Sequence, residues 1–463
     1  MPKTPIRGML DVKSLTRKIR SGEIETVISA FPDMYGRLVG KRFAASFFLD
    51  TVLRDGFHAC DYLLASDMEM TPIPGYEFTS WEQGYGDVKL KPDFATLRVA
   101  SWLDRTALVL CDVLDEGRNE AVALAPRTVL KRQIDLAQQR GFSAKGATEL
   151  EFFLFRDSYE LAARKQYRDL RTAGNYIEDY HILQGTKEEE VIGSIRSHLE
   201  RSGIPVENSK GEWGPGQQEI NIRYGDLLEI ADRHVVYKQA AKEIAWQKGQ
   251  SITFMAKWDS AMAGSSMHIH ASLWDKSGSK PLFAGKEEVG GIHCSKYFLW
   301  FLGGWMTHMR ELFPFYAPYP TSYKRYVAGS FAPTALAWSH DNRTAGFRII
   351  GRGPSLRIEC RTPGADANPY LSLAATIAAG LDGIQRKIEP PGIFEGDIYK
   401  AQELPQVPKT LHEAIAEMEK SSWVRSTFGE KVVDHYLHFF RTEQKKFDEA
   451  VTTWELARYF ERA

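Results

Sequence analysis

No stretch of this 463-residue chain approaches the ~18 consecutive charge-free apolar residues of a membrane-spanning helix. The N-terminal MPKTPIRGMLDVKSLTRKIRSGE also lacks the apolar core of a signal peptide, so a cytoplasmic protein without a membrane partner is expected. Neither sign of charge is in surplus: 59 Lys+Arg against 60 Asp+Glu leave −1. That balance excludes a general nucleic-acid or membrane-surface binder, whose role requires an excess or a block of basic residues. There is no C-x-x-C pair either; Cys60, Cys111, Cys294 and Cys360 are scattered and read as reduced, buried thiols rather than a disulfide framework. With 43% hydrophobic and 26% charged residues, the composition is that of an ordinary globular protein and excludes disorder, collagen and coiled coil.

What is present is length for roughly two to four domains at ~100–200 residues each. Strand-like runs ETVISAF, RFAASFFL and TALVLCDVL fill the first part, interrupted by the turn-rich TPIPGYEFTSWEQGYGD. The polar, glycine-containing DEGRNEA then precedes a helix opened by Pro126, which places a domain boundary at 116/117 and gives domains 1–116 and 117–463. Beyond it, KEEEVIGSIRSHLERSG and LLEIADRHVVYKQAAKEIAWQKG read as helices, while ATELEFFLF, QEINIRY, SSMHIHASLW and RIECR alternate as strands. The intervening RKQYRDLRTAGNYIEDYH is polar and reads as a surface excursion.

The strands carry the chemistry. Residues two apart on a strand share a face, which groups Glu149 with Glu151, Glu219 with Asn221, His268 with His270, and Arg357 with Glu359 and Arg361. Glu212 lies just upstream of Glu219 across WGPGQQ. Each pattern alone is commonly a solvated face or a surface ion-pair ladder. Together on one concave sheet, so many carboxylates need cations to neutralise them. Carboxylate-rich ligation with little imidazole points to Mg²⁺ or Mn²⁺ rather than Zn²⁺, and the ~6.6 Å repeat along a strand favours two separate metals. Two such ions suit phosphoryl transfer.

In their order along the chain, KPDFATLR, ELEFFLF, EWGPGQQEINIRY, GSSMHIHASL, SYKRYVAGSFAP, NRTAGFRI and RIECRTPGADANPYLSLAA resemble the glutamine synthetase family over nearly the whole length. The resemblance implies an α+β protein with a small N-terminal β-grasp domain and a large C-terminal α/β catalytic domain. It also implies a homo-oligomer, usually a dodecamer of two hexameric rings, in which the neighbour's N-terminal domain completes each active site. One metal site maps onto Glu151, Glu212 and Glu219 and another onto Glu149, His268 and Glu359. His270, Ser272, Arg357 and Tyr224 map near ATP, and Arg343, Arg348 and Arg361 map around the transferring phosphoryl group. Arg325 and Gly264 map onto the L-glutamate pocket. The implied reaction activates the glutamate γ-carboxylate as a γ-glutamyl phosphate, which an amine then converts to an amide.

One departure bears on that amine. Ammonia-using members carry G-Y-E-A-P in the flap, whereas this chain reads Gly329-Ser330-Phe331-Ala332-Pro333, and the N-terminal turn that normally adds a second carboxylate is replaced by GYEFTSWEQGYGD. An aromatic in place of an anion disfavours ammonium and favours an organic amine, least costly for one already neutral such as aniline. Trp81 and Trp338 are candidate walls of that pocket, although tryptophans of this kind are as readily core residues. The alternatives are an ammonia-using glutamine synthetase and a γ-glutamylpolyamine or ethanolamine synthetase, for which Glu77, Glu82 and Asp87 would supply acidic partners. A non-catalytic relative would lack metal ligands, and all six are present. Ala263, where an asparagine often stands, is a second departure, and Tyr399 is read as structural rather than as a modification site.

Overall fold

The computed structural model describes residues 6–463. Six strands form an N-terminal mixed sheet: β1 (Thr26–Pro32), β2 (Leu38–Ala44), β3 (Phe57–Cys60), β4 (Asp87–Pro92), β5 (Arg98–Val99) and β6 (Thr106–Asp115). Its order is β2-β1-β6-β4-β3, with β1 parallel to β6 and β5 added along β6. RFAASFFL is not one strand: β2 ends at Ala44 and the chain turns helical over 45–55. The physical reason is visible in the spacing, since Ala45, Phe48 and Val52 recur every three or four residues and bury one helical face against this sheet.

The larger part of the chain is built on a nine-stranded sheet: β7 (Phe142–Phe155), β8 (Val206–Gly211), β9 (Gln217–Ile222), β10 (Gly225–Asp226), β11 (Ser251–Thr253), β12 (Met267–Asp275), then, after the separate hairpin of β13 (Glu287–Val289) and β14 (Ile292–Cys294), β15 (Trp338–His340), β16 (Phe347–Ile350) and β17 (Arg357–Cys360). Its path runs β15-β16-β17-β12-β7-β9-β8, with β10 and β11 paired to β7. Helices Pro126–Gln139 and Leu227–Gln247 pack against it, and Pro369–Arg386 packs on those two and on helix Lys296–His308, buried almost all round, as an Ala-rich sequence opened by the Asn368 cap allows. Arg127, 3% exposed, holds the two parts together through Asp93 and Asp112 on one side and Asp232 on the other.

Register places the functional residues side by side. On β7, Glu149 faces His268 of β12 and Asn221 of β9, while Glu151 faces Glu219 of β9. Glu219 in turn faces Lys210 of β8, and Glu359 of β17 faces both His270 of β12 and Arg348 of β16. Among the described residues, no helix is long and apolar enough to cross a membrane.

Candidate active site

The sheet face opens into a cavity of about 970 Å³ whose lining includes Glu149, Glu151, Glu212, Glu219, His268, Gly264, Arg325, Phe331, Arg343, Arg348 and Arg361. The expected metal-binding residues therefore converge. Ligand atoms of Glu151, Glu212 and Glu219 lie within 4.8 Å of one another, as do those of Glu149, Glu219 and His268. His268 Nδ1 is 3.2 Å from Glu149 and 3.5 Å from Glu359, so the second expected set is also together. His270, which shares its strand face with His268 and maps near the nucleotide, joins the carboxylates as well: Glu149, His270 and Glu359 form a further group with the same 4.8 Å spread, and His270 Nε2 is 2.9 Å from Glu149.

Electrostatics fit a hard divalent ion. Burial, and then the nearby Glu212, pushes the Glu151 carboxyl up to about 7 and that of Glu219 well above its usual range. Such groups hold protons unless a cation takes their place. Burial opposes ionisation of Glu149 and Glu359 as well, but the flanking imidazoles at Glu149, and Arg361 with the imidazoles at Glu359, outweigh it and keep both ionised. The ligands are held in place: Glu151 Oε2 accepts from the Ser266 amide at 2.7 Å, and Glu219 Oε1 from Asn221 at 3.0 Å.

The arginines surround this cluster. Arg361 and Arg348 donate to opposite oxygens of Glu359 at 2.6 and 3.0 Å. Arg325 is clamped by the carbonyls of Arg361, Thr362 and Pro363. The Nε atoms of Arg325 and Arg361 are buried without a hydrogen-bond partner. Both residues line the cavity, so cationic side chains face the carboxylate cluster across it. Gly264 has a steric reason to be glycine: a Cβ there would lie 2.3 Å from Arg325 Cγ and 2.8 Å from the Ala256 carbonyl. Gly264→Ala is therefore expected to displace Arg325 and to lower stability by about 1–3 kcal/mol, the scale of overpacking a filled site; the thermal midpoint checks this.

Not every expected residue lines the cavity. Tyr224, Ser272 and Arg357 stand beyond its edge, with Tyr224 60% exposed, Ser272 accepting from Trp274 Nε1 at 2.9 Å and Arg357 donating to His270 Nδ1 at 3.4 Å. Trp81 is exposed on the N-terminal part and does not line the cavity of its own chain. Trp338 is a core residue, 1% exposed, with its indole N–H on the Pro391 carbonyl at 2.6 Å. Glu77 is engaged by Lys431 at 2.7 Å. The flap is pinned from behind, since Tyr399 donates to the Ala332 carbonyl at 3.1 Å and Arg361 to that of Phe331 at 3.4 Å.

Three participants escaped sequence reasoning. Trp213 packs edge-on against Phe331, ring centroids 5.3 Å apart, and both are half-exposed at the cavity. Lys210 reaches the cluster from β8, and Tyr180 from the segment 164–181 lies beneath it. That segment is not merely a surface excursion: Asp179, Tyr180 and His181 line the cavity. Fully buried Glu178 fastens it to the WGPGQQ loop, accepting from the Gly216 amide and from Gln218 Nε2.

Residues 123–459 match the glutamine synthetase catalytic domain. The chain belongs to the glutamine synthetase family. Gamma-glutamylethanolamide synthetase of Streptomyces coelicolor is 46% identical over 453 residues, covering 98% of this chain and 96% of the relative. Glutamate–isopropylamine ligase of a Pseudomonas species is 36% identical over 448 residues, covering 96% of each. A solved structure of a GmaS/ADP complex superposes with a TM-score of 0.84 at 28% identity, covering 96% of this chain and 99% of that one. The enzyme is thus an ATP-dependent carbon–nitrogen ligase of the glutamine synthetase type, with the α+β fold and N-terminal sheet domain expected from the sequence.

Proposed function

We propose that this glutamine synthetase-family enzyme joins the γ-carboxylate of L-glutamate to a small primary amine other than ammonia, with ethanolamine and short alkylamines as the leading candidates. The observation that carries the reading is the Phe331–Trp213 pair, which presents aromatic surface in the cavity where ammonia-using members keep a flap carboxylate. The names of the two relatives above, one an ethanolamide synthetase and one an isopropylamine ligase, support the same class. The aromatic pair also supports a second reading, an arylamine of the aniline type, whose ring would stack on it and whose nitrogen needs no deprotonation.

Arg325, backed by Gly264, binds the α-carboxylate of glutamate. Arg343, Arg348 and Arg361 hold the γ-phosphoryl group of ATP while the γ-carboxylate attacks it, and Tyr224, Ser272 and Arg357 hold the nucleoside end. Glu151, Glu212 and Glu219 would hold one divalent ion, and Glu149, Glu359 and His268 another, with His270 beside them. When bound, these ions supply charge neutralisation at the phosphates. No protein nucleophile is required; the chain contributes orientation and preorganised charge. The amine then displaces phosphate from the γ-glutamyl phosphate, with Phe331 and Trp213 excluding water around it. Exposed Trp81 supports a ring assembly in which it faces the cavity of a neighbouring subunit.

ADP release with Mg²⁺, ATP and L-glutamate tests the reading against ammonium, ethanolamine, isopropylamine, putrescine and aniline. Turnover with ethanolamine or isopropylamine well above ammonium is expected. Robust turnover with ammonium alone would overturn the proposal.

A further inference from the structure

One carboxylate of the cavity wall belongs to neither proposed metal site. Glu149, Glu151, Glu212 and Glu219 would go to the divalent ions, and Glu189 is ion-paired with Arg196. Asp179 lines the same cavity and is exposed, and among the described residues no ion pair or hydrogen bond engages its side chain. Tyr180, His181 and Lys210, the other titratable groups of this wall, offer no carboxylate.

The backbone of Asp179 is secured although its side chain is free. The Glu178 amide donates to the Glu212 carbonyl and the Tyr180 amide to the Gly211 carbonyl, both at 3.3 Å, so Asp179 runs alongside Gly211 and Glu212. Trp213 follows directly and packs edge-on against Phe331. Buried Glu178 anchors the same stretch through the Gly216 amide and Gln218. The carboxylate is thus presented from a fixed stretch of chain beside the aromatic wall.

The amine needs such a group. A primary alkylamine enters as an ammonium ion at neutral pH, and a cation moved from water into a partly desolvated cavity requires an anionic partner. Phe331 presents a neutral ring where a flap carboxylate would stand, and the glutamates of the cluster are committed to the metals.

We propose that Asp179 receives the ammonium group of the incoming amine and holds it beside the Phe331–Trp213 pair, so that the anion missing from the flap is supplied by the segment 164–181. The inference rests on the reading of the enzyme as a glutamate–amine ligase and names the residue that binds its amine.

Ethanolamine saturation curves with Asp179→Asn test this. KM for ethanolamine is expected to rise about ten- to hundredfold near neutral pH, the scale of a lost hydrogen bond to a charged group, with a smaller change in kcat and an unchanged KM for ATP. Asp179→Glu, which keeps the charge, is expected to retain most of the affinity. A pH series separates amine binding from structural support. Raising the pH from about 7 to about 9 converts a growing share of the amine to its neutral form, which needs no anion, so the deficit of Asp179→Asn relative to wild type is expected to shrink. An unchanged KM, or a deficit that stays constant over that range, would overturn the role of Asp179 while leaving the ligase reading in place. Wild-type turnover with ammonium and no organic amine would overturn that reading before any variant is made, and with it the amine assigned to Asp179.

Discussion

Glu359→Ala is expected to abolish ADP release with every amine, by about 10³-fold or more, the scale seen when a preorganised electrostatic group is removed from a reacting centre. Glu359 is 0% exposed, is shared between Arg361 and Arg348, and lies beside His268 and His270 in the carboxylate–imidazole cluster proposed to hold metal. Its loss removes an anion from the cluster and leaves Arg361 without its carboxylate partner, while Arg348 keeps Asp341. Arg361 is 4% exposed, so leaving it unpaired also costs stability, on the order of 3–5 kcal/mol for a broken buried pair. Glu359→Gln separates the two effects in part, because it keeps the side chain's shape and an acceptor oxygen for one arginine while removing the charge that would ligate a metal. Both variants should be inactive, with a thermal midpoint lowered more by alanine than by glutamine. Glu149→Ala should behave alike in activity. Retained phosphoryl transfer in these variants would overturn the assignment of the cluster.

Phe331→Glu is expected to move preference toward ammonium by about ten- to hundredfold, or ~1.4–2.7 kcal/mol, in the ratio of kcat/KM for ammonium over ethanolamine. The position tolerates the change locally. Its backbone is left-handed, with φ of 60°, after Gly329 at 77°, and Phe and Glu, neither of them β-branched, bear a similar strain there. The Phe331 carbonyl is held by Arg361 independently of the side chain. A carboxylate on this flap would attract a small cation and accept its proton, while the edge contact with Trp213 that shelters an organic tail would be lost. Competition between the two amines, read by mass spectrometry of the products, checks the ratio. An unchanged ratio would show that this side chain does not face the amine.

Much of the site was legible because strands repeat every two residues. Glu149 with Glu151, His268 with His270, and Glu359 with Arg361 could be assigned to common faces before any fold was known, and the sheet pairs those faces as register dictates. Lys210 was missed because β8 reads VENSKG, a polar edge strand without the apolar alternation that reveals its neighbours. The segment 164–181 misled for a related reason: its polarity suggested solvent, but buried Glu178 secures it through Gly216 and Gln218, a long-range bond that no local pattern encodes. RFAASFFL misled in the opposite way, since aromatic residues suit strands while their spacing here fills a helical face. Trp81 and Trp338 show the limit of residue type alone, one exposed outside the cavity of its own chain and the other sealed in the core.

The central claim is that ATP activates the glutamate γ-carboxylate and an organic amine, not ammonia, captures it. Heavy-oxygen label in that γ-carboxylate, with ethanolamine and ammonium supplied together, tests both halves in one reaction. One labelled oxygen passing to phosphate, with γ-glutamylethanolamide as the main product, is the expected result. Unlabelled phosphate, or glutamine as the main product, would contradict it.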